Sequence, residues 1–143
     1  MNARFVVLAF VAGLLIGPAA AQATAGKSPP LALKGHDPVA YFTEGRPMRG
    51  AAAFNVDFDD SRYLFASAKN RELFSKSPDR YTPQFAGLCA TGMAFGKSVD
   101  ADPSIFVVRD GKLYIFSSAE ARDMVQKDPS LLGKSHQAWK APK

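Results

Sequence analysis

The chain is poor in the residues that usually announce a site. It holds a single cysteine, Cys89, so no disulfide can close within it, and the fold must stand on its packed core. There is no Cys-x-x-Cys pair, which excludes the thiol-exchange and haem-attachment motifs built on that spacing. There is no glycine-rich phosphate loop. Histidine occurs twice, as His36 and His136, and no third residue is marked to orient a Cys–His pair, so no hydrolase set is legible. The 18 Lys and Arg are interspersed with 13 Asp and Glu and form no stripe, which argues against a nucleic-acid surface. Beyond residue 16 no apolar run approaches the roughly 20 residues a bilayer-spanning helix needs.

What the N-terminus does contain is ordered. Arg4 is its one charge, residues 5–16 are apolar, Gly17-Pro18 breaks the run, and Ala19-Ala20-Ala21 follows. This is the layout of a secretory signal peptide, cleaved after Ala21 or, as the next choice, after Ala23. An apolar run of about a dozen residues is short for a membrane anchor. The sequence therefore predicts a signal peptide over residues 1–21, a periplasmic or secreted product, and no membrane span after cleavage. Removing Arg4 leaves the net charge one below the whole chain's +5. The remainder has the size of one domain. Residues 22–34, rich in Ala, Thr, Gly, Ser, Lys and Pro, read as a flexible leader, and residues 35–140 as the domain.

An internal repeat organises that domain. Residues 59–78 align without a gap on residues 110–129, at an offset of 51. Asp59/Asp110, Tyr63/Tyr114, Phe65/Phe116, Ser67/Ser118, Ala68/Ala119, Arg71/Arg122, Lys76/Lys127 and Pro78/Pro129 are identical. Two copies of one supersecondary unit follow. In the first, Phe54, Val56 and Phe58 alternate with polar residues as in a half-buried strand. Asp59-Asp60-Ser61 turns the chain and residues 62–65 return. Ser67 caps a helix from 68 to 76, with Leu73 and Phe74 toward the sheet and Pro78 at its end. In the second, strands at 105–108 and 113–116 flank an Asp110-Gly111 turn, a strong hairpin signal. Ser118 caps a helix from 119 to 127. A last helix, 129–139, brings Leu131, Leu132 and Trp139 onto the body. The segment between the copies, 81–102, follows neither period, and a short helix near 86–94 competes there with a structured loop. The fold class is α+β: a small single domain of two hairpin–helix units plus a C-terminal helix.

Several blocks of the chain resemble the YHS domain, in particular its exported bacterial branch in which the domain stands almost alone. They are Gly35-His36-Asp37-Pro38-Val39-Ala40-Tyr41-Phe42, residues 63–74, Pro78-Asp79-Arg80-Tyr81, residues 83–90, Gly96-Lys97, Asp102-Pro103 and residues 110–114. The resemblance spans roughly residues 33–139. It implies a link to metal binding, since the broader group sits beside heavy-metal transport proteins. In those relatives cysteines fall where this chain has Ala40, Ala66 and Asn70, so no metal site carries over to those positions.

Three functional readings remain open. In the first, the domain binds a metal ion, most suitably copper, in metal handling: Cys89 and Met93 lie four apart, which on a helix is one face, and soft sulfur ligands suit Cu(I). His36 would add an imidazole, with His136 the weaker choice. In the second, the metal ligands have decayed and the domain is a non-catalytic scaffold that binds a protein partner near the Cys89 insert. In the third, Cys89 serves a thiol-dependent enzyme, which requires solvent access. Against the first and third stands the plain reading that Cys89 and Met93 are core residues, since free cysteine is among the most buried types. Asp37 before Pro38 reads either as a partner to His36 or as a residue that caps the turn. The aromatics Tyr41, Phe42, Tyr63, Phe65, Tyr81, Phe85 and Phe95 read as core.

Overall fold

The computed structural model describes residues 27–140; the expected signal peptide and the start of the leader lie outside them. The structure is mixed α+β. Two antiparallel hairpins, β1 (Ala51–Phe58) with β2 (Ser61–Phe65) and β3 (Asp102–Arg109) with β4 (Lys112–Phe116), form two separate two-stranded sheets. The helices are α1 (Ala40–Thr43), α2 (Ala68–Lys76), α3 (Pro78–Tyr81), α4 (Ala90–Ala94), α5 (Ala119–Lys127) and α6 (Ser130–Lys140). Structure begins ahead of Gly35: Arg62 N–H donates to Pro30 O at 2.8 Å, and the backbone of Leu31 bridges to Arg62.

The repeat holds in three dimensions. Both hairpins pair in matching register, Asn55 with Leu64 and Phe106 with Ile115, and both shift register at the same place, between Ala51 and Asn55 and between Asp102 and Phe106. Both turns use two consecutive left-handed residues, Asp59-Asp60 and Asp110-Gly111. Such turns match the right-handed twist of the flanking strands. Ser67 and Ser118 each accept a hydrogen bond from the backbone N–H three residues on and cap α2 and α5. Pro78 does not follow α2 into coil; it opens α3, where a missing N–H costs nothing.

The duplication also runs further toward the N-terminus than the sequence alignment reaches. Residues 32–35 and 84–87 form matching tight turns: Leu33, Lys34 and Gly35 repeat the left-handed backbone of Phe85, Ala86 and Gly87. Each turn lies beside its own hairpin, through the Leu31–Arg62 and Pro83–Leu113 bridges. At the tight turns the offset is therefore 52, and in the hairpins 51.

Each copy has its own core, and the copies interlock. Val39, Tyr63, Phe65, Phe74 and Tyr81 make one cluster. The larger cluster joins Phe85, Cys89, Met93, Leu113, Ile115, Phe116, Val125, Leu131 and Leu132 to Leu33 and Tyr41 of the first copy. Fully burying one such aliphatic or aromatic side chain stabilises by about 1.5–3 kcal/mol. α6 closes the second copy, its Ser135 hydroxyl donating to Ala90 O at 2.7 Å. Two aromatics expected in the core are not there: Phe95, just past α4, is 57 % exposed, and Trp139, at the end of α6, 38 %.

The copies differ at one telling position. Phe58 meets Phe74 edge-on, ring centres 6.0 Å apart, but its counterpart is Arg109. Arg109 Nη1 is buried and has no hydrogen-bond partner among the described residues. Leaving a donor so costs about 1–3 kcal/mol. Arg109→Phe, which restores the first copy's residue, is expected to stabilise the domain by about 1 kcal/mol. A lower midpoint in thermal unfolding would contradict this.

Candidate functional site

Two matching cradles lie where each tight turn runs into its short helix. In the first, Asp37 is fully buried and both carboxyl oxygens accept. Oδ1 takes the N–H groups of Val39 (2.8 Å) and Ala40 (3.3 Å). Oδ2 takes the N–H of Ala66 (2.8 Å) and the side-chain amide of Asn70 (2.7 Å). Asp37 thus ties the start of α1 to the end of β2 and the start of α2. His36 beside it is half-buried, and its Nδ1 is 2.9 Å from Leu33 O. The aspartate works as a capping residue, and no contact with the His36 ring is needed for that role.

In the second cradle Cys89 stands where Asp37 stands in the first. The match is local and detailed: Asp37 N–H donates to Met48 O, and Cys89 N–H donates to Val99 O. Cys89 Sγ accepts from Gly92 N–H (3.5 Å), the counterpart of Ala40, and from the Ser117 hydroxyl (3.3 Å), the counterpart of Ala66. Ala121 replaces Asn70, and its carbonyl accepts from the Thr91 hydroxyl at 2.6 Å. Gly92 has a steric reason to lack a side chain: an added Cβ would sit 3.0 Å from Val99 Cγ2, in the loop that folds over Cys89.

Cys89 is 1 % exposed and Met93 5 %, and both belong to the larger core cluster. His36 lies in the other copy, at the position that matches Leu88. Among the described residues no group of three or more His, Cys, Asp or Glu side chains is placed to hold a metal ion. What could offer soft ligands is the pair Cys89 and Met93. The positions the structure does gather are Ala40, Ala66 and Asn70: each sends a hydrogen bond to Asp37.

A third feature was not foreseen. A cleft of about 210 Å³ opens where the first hairpin's turn meets the second copy's tight turn and the end of α6. Asp59, Ser61 and Tyr63 line it on one side, Gln84 and Phe85 on the other, and Trp139 at the end. Phe85 and Trp139 stand at 65° with ring centres 6.0 Å apart. Tyr63 and Phe85 are core residues, as expected, but each also lines this cleft. No periodicity marks that double role, because the cleft draws on residues from three distant segments.

Burial raises the hydroxyls of Tyr41, Tyr63 and Tyr114 and holds them protonated. Burial, and then the nearby charge of Asp59, pushes Tyr63 up to about 12. Burial and the charges of Asp102 and Asp37 raise Tyr41, whose hydroxyl donates to Pro103 O at 2.7 Å. On the far side of Phe85, His136 Nε2 lies 3.0 Å from the Tyr114 hydroxyl. Burial, followed by Lys112 and Lys140, holds that imidazole below its usual value.

No helix among the described residues is long and apolar enough to cross a membrane. Comparison of the chain with family models, with curated proteins and with solved structures finds no match.

Proposed function

We propose that this chain is a degenerate YHS-like scaffold, exported to the periplasm or beyond, that acts as a non-catalytic protein-interaction module. The observation that carries the reading is the set of hydrogen bonds around Asp37. A cation site needs lone pairs that converge on an empty centre. Here the three positions that would supply them present N–H groups instead, and a carboxyl group of the chain already fills the centre. That is a polar joint between three elements. Phe95 and Val99, 57 % and 36 % exposed, lie within the Cys89 insert and give this reading exposed apolar side chains to work with.

One observation favours the copper reading as the second choice. Ser117 is exposed while the sulfur it bonds is buried, so Cys89 Sγ lies one side chain beneath the surface, with Met93 in the same cluster. The thiol-enzyme reading has to contend with a cysteine that is 1 % exposed.

An anaerobic titration with Cu(I) against a competing chelator, on the parent and on Cys89→Ala, decides between them. The proposed reading expects no stoichiometric uptake by either protein. Tight one-to-one binding by the parent, lost in Cys89→Ala, overturns it and installs copper handling at Cys89.

A further inference from the structure

The cleft between the first hairpin and the second tight turn holds hydrogen-bonding groups that the chain itself does not use. Tyr63 is 5 % exposed and lines it. A buried tyrosine usually finds a partner for its hydroxyl. That of Tyr63 has none among the described residues. Nor is it sealed in, since Arg109 Nη1 is the one fully buried side-chain atom among them that lacks a partner; the Tyr63 hydroxyl opens on the cleft. Asp59, Ser61 and Gln84 line the same cleft, and their side chains make no hydrogen bond among the described residues either. No Lys, Arg or His is among the described residues that line it.

The repeat supplies an internal comparison. The matching hydroxyl of the second copy, on Tyr114, lies 3.0 Å from His136 Nε2. The difference comes from the helices that follow the matching prolines, Pro78 and Pro129. α6 runs on to Lys140 and brings His136 to Tyr114. α3 stops at Tyr81, so the first copy's helix ends before any residue that matches His136. Tyr63 is left with an open cleft in place of a partner.

The unused groups define what they would hold. The charge of Asp59 acts on the Tyr63 hydroxyl, which stays protonated and so remains a donor. A ligand group seated between the two has to accept from the tyrosine and donate to the carboxylate. A hydroxyl does both; an ammonium or guanidinium only donates, and a carboxylate only accepts. Ser61 and Gln84 each add donor and acceptor capacity, which suits several hydroxyls on one framework. The volume of about 210 Å³ lies below the roughly 300–1,000 Å³ of sites for drug-sized molecules, so that framework is a single ring.

We propose that this cleft binds a neutral cyclic polyol of monosaccharide size, its hydroxyl groups held by the Tyr63 hydroxyl, the Asp59 carboxylate, Ser61 and the Gln84 amide. Recognition rests on these polar groups; Phe85 and Trp139 pack against each other and supply only wall. The site shares no residue with Asp37, Cys89 or Met93, so it stands or falls apart from the function proposed above.

The test follows the backbone amides of Asp59, Ser61 and Gln84 in proton–nitrogen correlation spectra of the purified protein. D-Glucose, D-galactose and D-mannose are titrated in turn, in parallel with cyclohexanol, which keeps a ring and a single hydroxyl. Saturable shifts at these amides, half complete at about 1–10 mM as a ligand of so few atoms allows, are expected from at least one hexose and not from cyclohexanol. Tyr63→Phe deletes a hydroxyl with no partner among the described residues, so thermal unfolding is expected to stay unchanged while binding weakens about fivefold. Asp59→Asn keeps the turn, since asparagine tolerates left-handed backbone as readily as aspartate, and is expected to weaken binding about tenfold. Tyr114→Phe, in the other copy, is the control and leaves binding unchanged. A disaccharide ending in the hexose that binds, if held as tightly, would place the ring at the end of a glycan; a preference for the free hexose would make it a solute. Equal shifts with cyclohexanol, unchanged binding by Tyr63→Phe, equal weakening by Tyr114→Phe, or no saturable shift with any of the three hexoses overturns the proposal.

Discussion

Asp37→Ala is expected to destabilise the domain by about 4 kcal/mol, a loss large enough to unfold a marginal domain. The alanine strands four donors at once: the N–H groups of Val39, Ala40 and Ala66 and the Asn70 amide. Each unsatisfied buried donor costs about 1–3 kcal/mol, and water entering the vacated space offsets part of the total. Asp37→Asn separates geometry from acceptor capacity. It keeps the shape but turns one acceptor into a donor that faces other donors, so it is expected to lose about 2 kcal/mol or more. Asn70→Ala removes one partner only and should cost about 1–2 kcal/mol. Urea unfolding followed by circular dichroism gives the three values. If Asp37→Ala shifts stability by less than about 1 kcal/mol, the carboxyl group is not the joint described above.

The second large effect lies at Gly50→Ala, expected to cost about 3 kcal/mol. An added Cβ would stand 2.4 Å from Leu64 C, 2.5 Å from its Cβ and 2.6 Å from its O. The atoms in the way are backbone of β2, so no rotamer change relieves the contact, and the hairpin itself must shift. The second copy shows that the cost is local, since the matching residue is Ala101, which is buried without difficulty. Gly96→Ala is the control. It has nothing within 4 Å and pays only for its φ of +68°, about 1 kcal/mol. A loss at Gly50 no larger than at Gly96 would show that the close approach to β2 does not set the cost.

How much of this was legible follows from the range of each interaction. The hairpins, the Asp110-Gly111 turn and the serine caps of α2 and α5 depend on residues within a few positions of one another, and the pattern of residues 59–78 and 110–129 carries them twice. The earlier half of each copy was not legible as a repeat. There the two copies share Gly35 and Gly87 but little else, and a one-residue change of offset falls between Ala40/Gly92 and Met48/Val99. Backbone shape survived in both, because the left-handed run ending at Gly35 and Gly87 fixes the turn whatever the side chains are.

The candidate sites divide along the same line. The sequence by itself determined the α+β units, the uncharged apolar start of the chain and the absence of any internal disulfide, because composition and short-range periodicity are enough for those. Only the tertiary structure decided that Cys89 and Asp37 are one position filled twice, that Ala40, Ala66 and Asn70 meet at that aspartate, and that Asp59 and Trp139 face one cleft. Those facts depend on packing between segments 30 to 80 residues apart, and side-chain type at one position carries no record of which distant backbone will lie against it.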